Sequence, residues 1–308
     1  MNKFLSKTIL FLLPVIVIII GMETLLRYVP NDYSLKKEYL DSNARHIKIL
    51  ILGNSHAEFG IDPDCFSRQA YNAGNVSQTL DIDYLILEKY KNQLDSLAYI
   101  LIPVSYDVMY ERLGNEKESW RAAYYNLYFD IPAEKNVLKI NAYNTGSGKI
   151  NAKRIYRYFL FNDSIDVHIE HNGMVKNDPA TDTLNLRKKA LEAAKRHTTD
   201  NLDKNFEDNV NYLKKIINIA KSKKTKILFF TPPAHIYYRE ALNKTQMQKI
   251  YDLMPQLVDN KNVFFYNLMD NNYSLEDFKD GDHLSYKGAK KFSNTLDSLI
   301  SIIEENRY

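Results

Sequence analysis

Short apolar runs alternate along this chain with stretches in which apolar residues return every three or four positions. Residues 47–52, 97–104 (LAYILIPV), 225–230 (TKILFF) and 262–268 (NVFFYNL) read as buried strands. Leu80, Tyr84, Leu87 and Leu94 share one helix face, as do Phe206, Val210, Leu213 and Ile217. Ile250, Leu253 and Leu257 mark another helix. Ala289, Phe292, Leu296, Leu299 and Ile303 mark the last one, behind Ser285 as N-cap. Strands alternating with helices predict an α/β fold, a three-layer α/β/α sandwich with a central, mostly parallel sheet. Sites in such sheets form beyond the carboxyl ends of strands.

The middle of the chain, about 107–200, breaks this rhythm and reads as an insertion over the sheet edge. Within it Ile165, Val167 and Ile169 alternate with Asp166, His168 and Glu170 ahead of His171-Asn172-Gly173, which predicts a β-hairpin. No internal repeat or low-complexity tract is visible.

The N-terminus carries a different pattern. Lys3 and Lys7 precede ILFLLPVIVIIIGM, residues 9–22, and flanking apolar residues extend the segment past Glu23 to roughly 20 residues, about enough to span a bilayer. A cleaved signal peptide is the rival reading, but GMETLLRYVP offers no small-x-small cleavage site. Residues 1–27 are therefore expected to be an uncleaved transmembrane anchor, 28–46 a polar stalk, and 47–305 the α/β domain. Lys3 and Lys7 place the N-terminus in the cytoplasm and the domain outside the membrane, although Arg27, Lys36 and Lys37 weaken that charge asymmetry.

Composition narrows the chemistry. Of 308 residues, 26% are charged, with a formal net charge of +3 and no basic block, which argues against a nucleic-acid partner. The single cysteine, Cys65, excludes an intramolecular disulfide and a Cys-rich zinc site. The first candidate chemistry is ILGNSHAEFG, residues 51–60, where a strand runs into Gly53-Asn54-Ser55-His56. Ser55 either caps a following helix or is a presented nucleophile. A G-x-S-x-G elbow is missed, because Ala57 stands where its second glycine would be. His56, Glu58, Asp280, Asp282 and His283 carry metal-ligating atoms, but their spacing matches no known metal pattern, so no metal or other cofactor is expected.

Far along the chain, FKDGDHLSYKGAKKF (278–292) places Asp280 three residues before His283. On a tight loop that spacing lets the carboxylate accept from imidazole Nδ1–H, leaving the other nitrogen to take a serine proton. His235, after Thr231-Pro232-Pro233, and Asn54 are further candidates for substrate contact. Arg196-His197 reads as a solvated helix face, with binding of an anionic group as the alternative. The aromatics of 106–129 read as core, with a sugar-stacking cleft as the alternative.

These residues resemble the SGNH (GDSL-like) hydrolases, over roughly residues 47–300. Leu52-Gly53-Asn54-Ser55-His56 matches the family's first block, with Ser55 as nucleophile, and Asp280-Gly281-Asp282-His283 matches its D-x-x-H block. The resemblance implies an SGNH/flavodoxin-like fold and a Ser55–His283–Asp280 triad. The second block, N-x-x-x-x-G-x-T, reads here as Asn72 to Thr79 with Ser77 at the glycine position and Gly74 nearby, so either backbone N–H is an oxyanion candidate. The third block, G-x-N-D, is absent, and Ser105 of LIPVSYD aligns with its oxyanion-donating asparagine. Loss of one such donor costs about 10²–10³ in rate.

The anchor and the divergent third block are similar to a membrane-anchored branch that helps O-acylate polymers outside the cell. That likeness implies an esterase or acyltransferase acting on an acylated, most plausibly acetylated, glycan or other ester. It also allows a membrane-bound O-acyltransferase as partner. A non-catalytic glycan-binding or acyltransferase-partner protein and a metal-dependent hydrolase remain as alternatives.

Overall fold

The computed structural model describes residues 2–115, 118–133, 141–270 and 272–305. Five strands run β1 (Ile49–Ile51), β2 (Ala70–Asn72), β3 (Tyr99–Pro103), β4 (Lys226–Thr231) and β5 (Val263–Asn267). The helices are α1 (Asn2–Tyr28), α2 (Asp32–Asn43), α3 (Ser55–Gly60), α4 (Leu80–Tyr90), α5 (Ala122–Tyr128), α6 (Gly148–Phe161), α7 (Thr183–His197), α8 (Phe206–Ser222), α9 (Ile236–Arg239), α10 (Lys244–Leu257) and α11 (Tyr286–Glu305). The chain divides into two compact units: Met1–Glu38 with Lys117–His168, and Tyr39–Glu116 with Ile169–Tyr308.

The second unit holds the sheet, in the order β2-β1-β3-β4-β5 with every pairing parallel. This is the α/β architecture expected from the alternation of strands and helices. Alternate strand residues face opposite sides. Ile49, Ile51, Tyr99, Leu101, Leu228 and Phe230 pack with Ala57 of α3 and Phe292, Leu296 and Ile300 of α11. Leu50, Ile100, Ile227 and Phe229, equally buried, face the other way; α8 packs against β4 and against α4. Ser285 does cap α11, accepting from the Gly288 N–H at 3.3 Å.

In this strand order the direction of winding reverses between β1 and β3, and in sheets of this kind ligand sites form in the crevice beyond the carboxyl ends at that point. The chain leaves β1 through Gly53, whose φ of +117° is open to glycine and strained for other residues. A Cβ there would also lie 2.7 Å from the Pro103 ring. Gly53→Ala should therefore destabilise the protein by about 2–4 kcal/mol, through backbone strain and overpacking together. A urea-unfolding midpoint equal to that of the parent would refute this.

Two expectations change. Residues 165–175 turn at Gly173, with Gly173 N–H donating to Glu170 O at 2.9 Å, but contain no strand. Their backbone groups go elsewhere: Asn172 O accepts from Asn72 N–H at the edge of β2, and Val175 N–H donates to Glu58 O. Residues 28–46, expected as a stalk, contain α2. Tyr33, Lys36, Leu40 and Ala44 recur at helical spacing and are buried. β2 was not legible in the sequence, being three residues long.

The first unit contains α1, α5 and α6. From Phe4 to Tyr28, α1 is long and apolar enough to cross a membrane, as an anchor or a signal sequence would be. Its Glu23, which interrupts the apolar run, is paired with Arg27 at 2.7 Å and accepts from the Ala142 N–H at 3.0 Å.

Candidate active site

The serine's placement is local in origin. Asn54, not Ser55, is the N-cap of α3, its Oδ1 accepting from the His56 N–H. Ser55 is thereby the first helical residue, and its hydroxyl is released from capping. Its Oγ lies 2.8 Å from His283 Nε2, across 228 positions of sequence.

His283 is held by its own loop. Asp280 Oδ1 accepts from the backbone N–H of His283 at 2.9 Å and of Asp282 at 3.2 Å. The same carboxylate accepts from His283 Nδ1–H, at 3.0 Å to Oδ1 and 3.2 Å to Oδ2. Phe278 and Leu284 bridge in antiparallel fashion across the loop base. Asp280 thus fixes both the turn and the ring, leaving Nε2 for the serine.

Around this line lies a second layer of polar groups whose arrangement the sequence did not reveal. The His56 ring stacks on His283 with centroids 5.1 Å apart. Asp282 is 2% exposed, with Oδ1 3.5 Å from His283 Nδ1 and Oδ2 3.7 Å from His197 Nδ1. His197, expected on a solvated helix face, is instead at hydrogen-bond distance from the Tyr238 hydroxyl, 3.0 Å, and its side chain is only 12% exposed. The C-terminal end of α7 faces inward here, which a residue count along a charged helix could not reveal.

Charges in this layer set protonation. Burial lowers the affinity of His283 for a proton, but the Asp282 charge and the hydrogen bond and charge of Asp280 outweigh it, pushing His283 up to about 9. Burial works against ionisation of Asp280, yet the His283 hydrogen bond and charge hold it well below the usual carboxylate range. Burial raises Asp282. Burial, helped by the His283 charge, lowers His56 to about 3, so His56 is neutral at ordinary pH.

One chain of hydrogen bonds has a fixed direction. Ser105 Oγ donates to the Asp107 carboxylate at 2.6 Å and accepts from Asn54 Nδ2 at 3.0 Å. Asn54 Oδ1 must then accept from His56 Nδ1–H, 3.1 Å away. These bonds engage two of the candidate site residues. The Ser105 hydroxyl proton goes to Asp107. Asn54 uses its side chain to bridge His56 and Ser105, linking the ends of β1 and β3.

Of the backbone oxyanion candidates, the Gly74 N–H donates to Asn72 Oδ1 at 3.1 Å, so it too is committed. Ser77 has φ +58°, and among the described residues its N–H has no hydrogen-bond partner. His235 caps α9 through its side chain, and its N–H donates to Gly281 O at 3.0 Å, so it braces the triad loop. The metal-capable set divides. His56, Asp282 and His283 offer atoms within 4.8 Å of one another, whereas Glu58 accepts from the Val76 N–H. Both ring nitrogens of His283 already have partners in Ser55 and Asp280. Most tyrosines of the 106–129 stretch are core: Tyr106, Tyr110, Tyr124 and Tyr125 are buried, Tyr128 is half-buried, and Trp120 is exposed.

A protein-family model that carries no descriptive name matches residues 174–304. No curated protein matches the chain. Among solved structures the chain is similar to a provisionally described platelet activating factor from Streptococcus pneumonia, at 14% identity over 93% of this chain and 99% of that chain, with a TM-score of 0.41. It is similar to a provisionally described acylhydrolase from Bacteroides fragilis, at 15% identity over 85% of this chain and 94% of that chain, TM-score 0.40. It is also similar to a GDSL-like lipase from Bacteroides thetaiotaomicron, at 16% identity over 89% of this chain and 99% of that chain, TM-score 0.40.

Proposed function

We propose that this protein is a membrane-anchored serine esterase or acyltransferase of the SGNH type. The observation that carries the reading is the unbroken line from Ser55 Oγ to His283 Nε2, and from His283 Nδ1 to Asp280, at the carboxyl end of β1. Ser55 Oγ attacks the carbonyl carbon of an ester while His283 takes the hydroxyl proton. Asp280 stabilises the imidazolium. The tetrahedral oxyanion is held by the backbone N–H groups of Ser55 and Ser77. His283 then protonates the leaving alkoxide, and an acyl-serine remains. Water or a sugar hydroxyl, deprotonated by His283, takes the acyl group and frees Ser55.

The apolar length of α1, with Lys3 and Lys7 before it, supports an anchor with the catalytic domain outside the membrane. The resemblance to the anchored branch supports O-acetyl groups of an envelope or exported glycan as substrate, with a membrane-bound O-acyltransferase as partner.

The full chain in detergent micelles, treated with a fluorophosphonate, should become labelled on the peptide containing Ser55, and Ser55→Ala should not label. Equal labelling of both would remove Ser55 as nucleophile. Labelling of neither would favour a non-catalytic glycan-binding or acyltransferase-partner role.

A further inference from the structure

Helix α6 is built inside out. The side chains it buries are polar: Asn151 is 0% and Arg154 8% exposed. Both are engaged there, Arg154 also through an ion pair with Asp166. Asn151 Nδ2 donates to Gly146 O, and Arg154 donates to Asn151 Oδ1, Thr145 Oγ1 and the Tyr124 hydroxyl. Ile155 and Tyr158 are half-buried, and its remaining large apolar side chains are exposed, with Tyr156 at 53%, Phe159 at 47%, Leu160 at 67% and Phe161 at 61%. In water this arrangement is backwards, since a surface helix turns its apolar stripe to the core. Exposed large apolar groups in a cluster mark a surface that something apolar covers.

The position of α6 says what that is. Within the same unit it packs against α1. The contact lies at the carboxyl end of that helix: Leu26 and Val29 line a small cavity together with Tyr124 and Arg154, and Ala142 N–H reaches Glu23. Residues of α1 from Leu10 to Ile20 are exposed by contrast, as a lipid-facing segment would be. Glu23 therefore marks the level at which α1 leaves the hydrocarbon, and α6 sits at that level. Lys149, Lys153 and Arg157 are exposed on α6 and recur every four residues, with Tyr156 and Leu160 on the same side. Basic residues beside aromatic and aliphatic ones are the composition of a helix lying in a headgroup layer.

We infer that α6 is an interfacial membrane helix that lays Tyr156, Phe159, Leu160 and Phe161 into the bilayer surface beside α1, with Lys149, Lys153 and Arg157 among anionic headgroups. This rests on reading α1 as a membrane anchor. The lipid surface gives the unit around α1 a second contact with the membrane, in addition to the span itself. A single span leaves what it carries free to swivel; a second contact resists that.

The test uses the full chain with Cys65→Ser as background and one new cysteine at a time, carrying an environment-sensitive nitrobenzoxadiazole label. The sites are Ile16→Cys in α1, Leu160→Cys in α6, and Leu184→Cys in α7, where the parent residue is 79% exposed. Each is reconstituted in phosphatidylcholine–phosphatidylglycerol vesicles containing lipids brominated either near the headgroup or near the chain end. The expected result is loss of emission at 160 mainly with the shallow quencher, at 16 mainly with the deep one, and at 184 with neither.

Quenching at 16 with 160 as silent as 184 would overturn the placement of α6 while leaving the anchor standing. Silence at both 16 and 160 would overturn the anchor and α6 together. Blue-shifted emission at 160 that ignores both quenchers and grows with the protein-to-lipid ratio would mean that a second copy covers the face, and would also overturn it. The same blue shift without that dependence would indicate a partner protein and count equally against it.

Discussion

Replacing either Ser55 or His283 by alanine is expected to lower ester turnover by about 10⁴–10⁶-fold, and replacing both is expected to cost no more than one. The reason is that the two act as a unit. Without His283 the Ser55 hydroxyl has no acceptor for its proton at 2.8 Å, and without Ser55 the imidazole has nothing to deprotonate. Asp280→Asn should fall by about 10⁴, because an amide cannot favour the Nδ1–H tautomer or stabilise the imidazolium as a carboxylate does. Turnover of a chromogenic acetyl ester by purified variants measures all of these. Losses that multiply in the double variant would mean that Ser55 and His283 do not share one proton transfer, and the triad would have to be abandoned.

The second large effect is in pH. His283 must be neutral to accept the serine proton, yet the charges around it hold its pKa up to about 9. At pH 7 about 1% of the resting enzyme carries the base in its working form, so kcat/KM should climb about tenfold per pH unit from 7 and level off near 9. Asp282 is the largest contributor that raises His283. Asp282→Asn, which keeps the shape and removes the charge, should move the rising limb to lower pH and increase kcat/KM at pH 7, with the plateau unchanged. Superimposable limbs for the two proteins would exclude Asp282 from this role.

The same shift has a sign in stability. A histidine whose folded pKa lies above its unfolded value of about 6.5 stabilises the fold fully below that value. The contribution disappears as pH rises through about 9. The pH range in which the base becomes active is thus the range in which this stabilising charge interaction is lost.

Much of this site was visible in the linear chain. Short apolar runs ending at Gly53 and Thr231, and helical periodicity ending with Ile303, specified a parallel α/β sheet, because buried strands and helices differ in period whatever surrounds them. The i,i+3 spacing of Asp280 and His283 predicted a local carboxylate–imidazole pair, since three residues on a turn determine their own geometry. The apolar segment of α1 was legible from length alone.

Contacts between distant segments were not. That Ser55 Oγ reaches His283, 228 positions away, depends on the folding of everything between them. The hydrogen-bonded fates of Ser105, Gly74 and Asn54 depend on which strand ends the sheet order brings together. His197 lies at the end of a helix rich in Lys and Arg, and its burial against Tyr238 and Asp282 follows from the direction that helix takes across the site. The polarity of α6 is the clearest case. Its sequence is amphipathic in either environment, and only the burial of Asn151 and Arg154 decides that Tyr156, Phe159, Leu160 and Phe161 face outward. Period is a property of neighbours in sequence, whereas partnership and facing are properties of neighbours in space.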